Sequence, residues 1–289
     1  MEPLRVGLVG AGPWARLLHG PMLARHPAVE LAGIWARRSA AAGELAAALH
    51  TAAFEDLDAL FGSCEAVAFC VPPDVQVELG VRAAAEGKAL LLEKPPALDV
   101  AGAERLAAAV AEAGVGSQLV LTWRYAPAVR TLLNEVHARG GVGGRVQFVN
   151  GAMRGGPFAT PWRLAHGPLL DLGPHAIDAL DAALGPVLDV RAHGRFDRWV
   201  GLLLDHEGGA HSEVSLSCSV AMAPGRAELE VYTDDARLHV DTSNLFDDAL
   251  LDTVVDELVV TARTGRHPLD AAHGLRLQRM LARALEQLR

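Results

Sequence analysis

A glutamate–lysine pair stands where an apolar run meets two prolines. In sequence order the stretch reads Leu90, Leu91, Leu92, Glu93, Lys94, Pro95 and Pro96. Proline fixes its own φ at about −65° and pushes the preceding residue into extended backbone. Lys94 therefore has a defined direction at the end of a predicted strand, which makes it a candidate catalytic residue. A solvated lysine in a turn is the alternative.

A second group of acid–base residues lies further along the chain. It reads Asp171, Leu172, Gly173, Pro174, His175, Ala176, Ile177 and Asp178. Pro174 predicts the first position of a helix, which places His175 in its first turn, where the helix dipole disfavours the imidazolium. A neutral histidine can accept a proton from an alcohol and return it to a carbonyl. Asp171 could orient His175, or it could simply cap the helix beside a surface histidine.

The N-terminus carries a glycine turn between a strand and a helix. An apolar strand is predicted at Leu4–Val9, and it runs into Gly10, Ala11, Gly12, Pro13, Trp14 and Ala15. Glycines allow a tight turn and a close approach of backbone to a pyrophosphate, which the N-terminus of the next helix also attracts. The pattern favours dinucleotide binding over a turn that serves packing alone.

The second predicted strand, Val29–Trp35, ends before two arginines. A fold that prefers NAD usually places an acidic residue here, but Arg37 and Arg38 stand there instead. Guanidinium groups pair with phosphate in bidentate geometry, so we expect NADP(H) in preference to NAD(H). An exposed helix start with solvated arginines is the alternative.

The order of predicted elements places these residues in two domains. In the first part of the chain, predicted strands alternate with helices, and this alternation predicts a parallel sheet. One of the helices is capped by Asp99 and ends near Ala113. The strands lie at Leu4–Val9, Val29–Trp35, residues 66–71, Ala89–Leu92 and residues 115–122. Beyond residue 122 strands dominate, at residues 145–152, 187–196, 199–205, 210–220, 226–233 and 237–241, followed by helices at 246–263 and 269–288. We predict an α/β domain over residues 1–122 and an α+β domain with an open, mostly antiparallel sheet over residues 123–289.

Composition excludes several classes of protein. The 289 residues carry a formal charge of −9, which argues against a nucleic-acid surface, and no apolar run is long enough for a membrane span. Cys64, Cys70 and Cys218 are predicted to be reduced, and no basic, hydrophobic leader precedes the first strand, so we expect a cytoplasmic protein. His206 and His211 flank a predicted hairpin turn, and we expect no metal.

Together these motifs resemble the Gfo/Idh/MocA family of oxidoreductases. The resemblance extends over nearly the whole chain and includes Gly10 to Ala15, Cys70 to Asp74, Glu93 to Pro95, Thr122 to Pro127, Trp162 with Arg163, and Asp171 to Asp178. It implies an N-terminal Rossmann domain and a C-terminal domain whose sheet joins copies into a homodimer or homotetramer. It also implies that the bond between Lys94 and Pro95 is cis.

The resemblance also assigns roles to residues. Lys94, Asp171 and His175 become the catalytic candidates. The cofactor candidates are Gly10, Gly12, Pro13, Trp14, Arg37, Arg38, Pro72, Glu93, Lys94, Thr122, Trp162 and Arg163. We expect hydride transfer between nicotinamide and a secondary alcohol or ketone of a sugar, polyol or related small molecule. A non-catalytic dinucleotide-binding regulator and an imine or enone reductase are the alternatives.

Overall fold

The computed structural model describes residues 2–222 and 224–288. Contacts divide the chain into two compact units. The first unit comprises the residues up to Val120 together with Leu251–Arg276, and the second comprises Leu121–Leu250 and the residues from Leu277 onwards. A segment near the C-terminus thus lies in the first unit. The functional boundary between residues 122 and 123 stays a prediction.

The first unit is built on six strands. They are β1 (Leu4–Val9), β2 (Val29–Trp35), β3 (Ala53–Phe54), β4 (Ala66–Phe69), β5 (Ala89–Leu92) and β6 (Ser117–Leu119). The strands are all parallel and lie in the order β3-β2-β1-β4-β5-β6, which confirms the predicted parallel sheet. β4 and β5 are buried along their whole length, as expected of strands covered on both faces.

Five helices connect these strands. They are α1 (Gly20–Arg25), which follows a π-helical turn at Ala15–His19, α2 (Ser39–Ala48), α3 (Leu57–Ser63), α4 (Pro73–Ala85) and α5 (Val100–Ala113). The caps of α5 agree with the sequence: the Asp99 carboxylate accepts from the Gly102 N–H at 2.8 Å, and Gly114 ends the helix at φ 65°.

The second unit is built on another six strands. They are β7 (Gly141–Val149), β8 (Val187–Arg195), β9 (Trp199–His206), β10 (His211–Ser217), β11 (Arg226–Thr233) and β12 (Arg237–Asp241). Their order is β12-β11-β7-β10-β9-β8, and only the β7–β10 pair is parallel. The predicted open, mostly antiparallel sheet is therefore confirmed, and His206 and His211 flank a hairpin turn.

Strand β7 begins earlier than its sequence suggests. We expected a start at Arg145, but pairing extends back through Gly143 and Gly144 to Gly141. A Cβ at Gly143 would lie 2.9 Å from the carbonyl oxygen of His211, and one at Gly144 would lie 2.9 Å from that of Glu230. The glycines are part of the sheet because the neighbouring strands leave no room for side chains.

Four further helices complete the chain: α6 (Pro127–Arg139), α7 (Pro161–Leu184), α8 (Asp248–Thr264) and α9 (Ala271–Gln287). α7 packs against four strands of the second sheet, β7, β8, β9 and β10. In the first unit, the edge strand β6 contacts the C-terminal segment, since the Gln118 side chain donates to the Val254 carbonyl and Leu119 N–H donates to that of Leu269. These bonds hold residues 251–276 to the first sheet.

None of the helices in the described ranges combines the length and the apolar character that a bilayer crossing requires.

Candidate active site

The glycine turn follows β1 directly. Gly10 has a φ of 122°, a value that L side chains rarely adopt, and a Cβ there would lie 2.3 Å from the carbonyl oxygen of Cys70. A Cβ on Gly12 would meet no atom within 4 Å. The turn is thus tight at its first glycine and open at its second, which fits a backbone that a phosphate group approaches. Pro13 and Trp14 are half-buried and begin the following helix.

Arg37 and Arg38 lie just beyond β2, and both are exposed. Arg38 is the residue before α2, and no acidic residue stands between Trp35 and that helix. Pro72 occupies the equivalent position before α4 and is exposed as well. These three residues therefore follow parallel strands at the carboxyl edge of the sheet, where ligands of such sheets bind.

Lys94 lies two residues beyond β5 in a buried loop. Glu93 and Lys94 are only 7% and 8% exposed, and the Lys94–Pro95 peptide bond is cis, as the resemblance implies. One carboxylate oxygen of Glu93 accepts from the Lys94 N–H at 3.2 Å. The loop is therefore not a solvated turn, which removes the alternative interpretation of Lys94.

His19 is a site residue that the sequence analysis did not identify. Its ring is fully buried, and Nε2 lies 2.6 Å from Oε1 of Glu93. Burial opposes the charged form, but Cys70 and Glu93 favour it and raise the pKa of His19 to about 10. Burial also raises the pKa of the Cys70 thiol.

In the second unit, α7 carries Asp171 and His175. The helix is interrupted at Gly167, which has φ 69° and ψ −172°, and helical backbone resumes at Pro168. The prediction that Pro174 begins the helix is therefore wrong: Pro168 takes that position, and His175 lies in the helix interior. Asp171 does not cap the helix, and His175 lies beyond the first turn, to which the effect of the helix dipole is confined.

The corrected helix brings Asp171, His175 and Asp178 together in another way. Residues spaced by three or four lie on one face of a helix, so the imidazole stands between two carboxylates along that face. All three side chains are buried, with Asp178 at 0% exposure. A buried aspartate of this kind can orient an imidazole and stabilise its charged form.

Each aspartate is paired with an arginine. Arg163 Nε donates to Oδ1 of Asp171 at 3.1 Å, and Arg124 donates to Oδ1 of Asp178 at 2.9 Å. The Arg163 guanidinium also lies over the Trp162 ring, 4.6 Å from its centroid. The structure therefore brings two predicted cofactor residues, Trp162 and Arg163, to a predicted catalytic one.

The His175 ring stacks on an aromatic side chain. The rings of Trp123 and His175 are stacked with centroids 6.0 Å apart, and Trp123 stacks in turn on Phe148 with centroids 5.4 Å apart. Thr122, a predicted cofactor residue, precedes Trp123 in a buried 3₁₀ turn at Thr122–Tyr125. His175 is thus held at its ring face as well as along its helix.

Each unit holds groups of its own that acid–base chemistry needs. A buried imidazole with oriented carboxylates can exchange a proton with a bound molecule, and a buried lysine can donate a hydrogen bond to an oxygen. Among the described residues, no three His, Cys, Asp or Glu side chains are arranged to hold a metal ion.

Two family profiles match the chain. Residues 4–119 match the profile of an oxidoreductase family with an NAD-binding Rossmann fold, and residues 133–239 match that of the GFO/IDH/MocA C-terminal domain. The two matched regions correspond to the first parallel sheet and to most of the second sheet.

Two curated proteins are similar over part of the chain. Trans-1,2-dihydrobenzene-1,2-diol dehydrogenase of Mus musculus is 32% identical over 148 residues, which are 47% of this chain and 43% of that protein. Galactose 1-dehydrogenase of Pseudomonas fluorescens is 35% identical over 99 residues, or 33% of this chain and 30% of that protein. The chain thus aligns with less than half the length of either relative.

Among solved structures, GenD2 from gentamicin A biosynthesis, determined in complex with NAD, superposes with a TM-score of 0.85. The alignment covers 100% of this chain and 95% of that one at 20% identity. At this identity the likeness concerns the fold.

Proposed function

The chain belongs to the Gfo/Idh/MocA family of oxidoreductases, and on that premise we propose that it catalyses reversible hydride transfer at a secondary alcohol or ketone carbon. The observation that carries the proposal is the buried helix face of α7, on which His175 stands one turn from Asp171, itself held by Arg163. Such a face provides a positioned proton donor and acceptor.

The proposed substrate is a sugar, a polyol or a related small molecule. The names of both curated relatives denote dehydrogenases of hydroxyl-bearing compounds, a diol and galactose. Because the aligned segments are partial, these names support a class of substrate and not a particular compound.

His175 is the proposed general acid and base. In the oxidative direction its imidazole takes the hydroxyl proton while the alcohol carbon loses hydride, and the carbonyl forms from that carbon and oxygen. Asp171 keeps the resulting imidazolium stable, and Lys94 donates a hydrogen bond to the reacting oxygen. A bound nicotinamide dinucleotide supplies or accepts the hydride.

The cofactor proposed is NADP(H) in preference to NAD(H). Gly10 and Gly12 form a turn that suits a pyrophosphate, and the exposed guanidinium groups of Arg37 and Arg38 suit a 2′-phosphate. The similar solved structure of GenD2 contains NAD. The proposed preference for NADP(H) therefore rests on the two arginines and is tested through them.

A substrate screen tests the proposal. The purified protein is incubated with NADP⁺ or NAD⁺ and a panel of sugars, inositols, diols and other polyols, and formation of reduced nicotinamide is followed by absorbance. We expect a rate with at least one compound that is lost in Lys94→Ala and His175→Ala. A panel without any rate above that of the two variants would contradict the proposal.

We also propose that copies of the chain associate through the outer face of the second sheet, as a dimer or a tetramer. One row across the strands of this face reads Arg191, Leu203, Glu213, Arg145, Glu230 and His239. Within this row Glu213, Arg145 and Glu230 alternate in charge, and Leu203 in the row and Tyr232 beside it are exposed. Sedimentation of wild type and Leu203→Arg tests this association. We expect a wild-type dimer or tetramer that the charge at position 203 weakens, and a monomeric wild type would contradict the association.

A further inference from the structure

The loop after β5 carries backbone groups that lie beyond the strand pairing of β5, which ends at Leu92. Residues 93–96 are buried, and Pro95 and Pro96 have no N–H. Their carbonyl oxygens are nevertheless buried acceptors, and such groups cost free energy if they remain without a donor. The shape of the loop that carries Lys94 therefore depends on what donates to these oxygens.

One side chain, Gln76 of α4, supplies the partners. Its Nε2 donates to the carbonyl oxygen of Glu93 at 2.7 Å and lies 3.4 Å and 3.3 Å from those of Pro95 and Pro96. Its Oε1 accepts from the Glu93 N–H at 2.8 Å. A single carboxamide thus contacts four backbone groups of the loop, and Gln76 is itself 0% exposed.

The Glu93 side chain fixes the loop at a second point. One carboxylate oxygen receives the His19 ring N–H at 2.6 Å, and the other accepts from the Lys94 N–H at 3.2 Å. Gln76 holds the main chain on both sides of Lys94, and the His19–Glu93 pair holds its amide nitrogen. The backbone from which the lysine side chain extends has little freedom to move.

We propose that Gln76 is a positioning residue for Lys94, acting through the backbone of residues 93–96 and not by contact with substrate. The inference rests on the proposed role of Lys94 in hydride transfer. It adds that the hydrogen-bonding carboxamide on α4, which no motif of the sequence points to, sets the place of the lysine ammonium at the reacting oxygen.

The chemistry of the four contacts explains the residue type. They require one acceptor and two donor hydrogens at the end of a flexible side chain, which only an amide provides at this length. Methionine has a similar length, but it has no hydrogen-bond donor and no comparable acceptor. Gln76→Met therefore removes the contacts while keeping the volume.

Gln118 offers a matched control in the same unit. It is also 0% exposed, and its carboxamide also donates to a backbone carbonyl, that of Val254 at 3.0 Å. Its partners are in the C-terminal segment and not in the Lys94 loop. Gln118→Met therefore reproduces the loss of a buried carboxamide without loosening residues 93–96.

The experiment measures hydride transfer in a single turnover, with NADPH-saturated enzyme and the carbonyl form of the best compound from the substrate screen. The rate constant of such a transient does not depend on the fraction of enzyme that is folded. A small displacement of a catalytic group costs about 10²-fold in rate, so we expect Gln76→Met to be slower by about 10- to 100-fold. Gln118→Met should match wild type.

Amide hydrogen exchange of the peptide covering residues 90–98 gives a readout that does not need activity. We expect faster exchange in Gln76→Met than in wild type or in Gln118→Met. If Gln76→Met does not fold, Gln76→Asn, whose shorter amide cannot make all four contacts, takes its place with the same expectations.

The outcomes separate the two proposals. A wild-type rate constant in the Gln76 variant, beside a slow Lys94→Met, overturns the positioning role and leaves the function intact. Equal slowing in both glutamine variants overturns it too, because the effect would then be general. If Lys94→Met keeps the wild-type rate constant, the proposed role of Lys94 fails and the inference fails with it.

Discussion

The Nε atom of Arg163 lies 3.1 Å from Oδ1 of Asp171, with both side chains about nine-tenths buried. A buried ion pair gains little over an apolar pair of the same size, but either member alone is costly. The pair therefore holds the Asp171 carboxylate in place one helical turn from His175. It also connects the Trp162–Arg163 segment to the candidate acid–base residues.

Removing Arg163 should leave an uncompensated charge on Asp171. We predict that Arg163→Met lowers the free energy of unfolding by about 3–5 kcal/mol, the cost of breaking a buried pair. Adding Asp171→Leu should restore part of that loss. Urea unfolding of the single and double variants measures both; a single-variant loss comparable to that of exposed Arg105→Ala would show that the pair is not buried in solution.

Replacing His175 should affect chemistry more than cofactor binding. General acid–base catalysis contributes about 10²- to 10⁴-fold, so we predict a fall in kcat of that order for His175→Ala. Calorimetry should give a nearly unchanged dissociation constant for the cofactor. His137→Ala, an exposed histidine of the same unit that contacts the Ala182 carbonyl, is the control. An unchanged kcat would remove His175 from the proposed role.

The arginines after β2 should determine the choice of cofactor. A guanidinium that pairs with phosphate contributes a strong, charge-assisted bond. We predict that the double variant Arg37→Ala/Arg38→Ala binds NADPH at least about tenfold more weakly, the equivalent of about 1.4 kcal/mol, while its affinity for NADH changes little. Equal weakening of both cofactors, or tighter NADH binding by the wild-type protein, would contradict the arginine argument.

The raised pKa of His19 should make stability depend on alkaline pH. The pKa is 6.5 in the unfolded chain and about 10 in the folded one, where Cys70 and Glu93 outweigh the effect of burial. The folded protein binds the proton more tightly, so this stabilisation is complete below pH 6.5 and is lost as the pH rises towards about 10. Wild type should lose stability over this range.

His19→Gln has no such titration, and its thermal midpoint should fall less steeply between neutral and alkaline pH. Parallel alkaline curves for wild type and His19→Gln would contradict the charged state of His19.

Glu230 provides a contrast at acidic pH, because hydrogen bonds from Arg145, and from Arg237 and Tyr232, lower its pKa to about 2. The contribution of Glu230 to stability is lost only as the pH falls from 4.5 towards 2.

The sequence predicted much of the fold because its signals were local. β1, β2 and β5 were predicted with their observed bounds, and α5 was predicted with its cap at Asp99 and its end at Ala113. Such signals depend on residues a few positions apart, whose effect on the backbone is independent of the rest of the chain.

The start of α7 was predicted wrongly because two glycine–proline steps offer the same signal. At the first, Gly167 has φ 69° and a Cβ would lie 2.0 Å from the Phe196 carbonyl oxygen, so this glycine cannot continue a helix. At the second, Gly173 is helical and a Cβ would lie 2.8 Å from Leu281. Tertiary packing decides between them, and no local pattern records it.

The partners of the site residues were missed for the same reason. His19 is 74 positions from Glu93, and Arg124 is 54 positions from Asp178. Gln76 contacts the Lys94 loop across 17 to 20 positions. Chemical type and motif spacing identify Lys94 and His175 as candidates, but the residues that hold them are brought close only by the fold.

Transfer of an isotopic label shows whether hydride moves from the substrate carbon to the nicotinamide. The screen compound with the highest rate is prepared with deuterium on the carbon that is oxidised, and the reduced cofactor is examined by NMR after turnover. We predict deuterium at C4 of the nicotinamide, with no transfer in His175→Ala over the same time. Turnover that leaves the deuterium on the substrate or releases it to water would contradict hydride transfer by this protein.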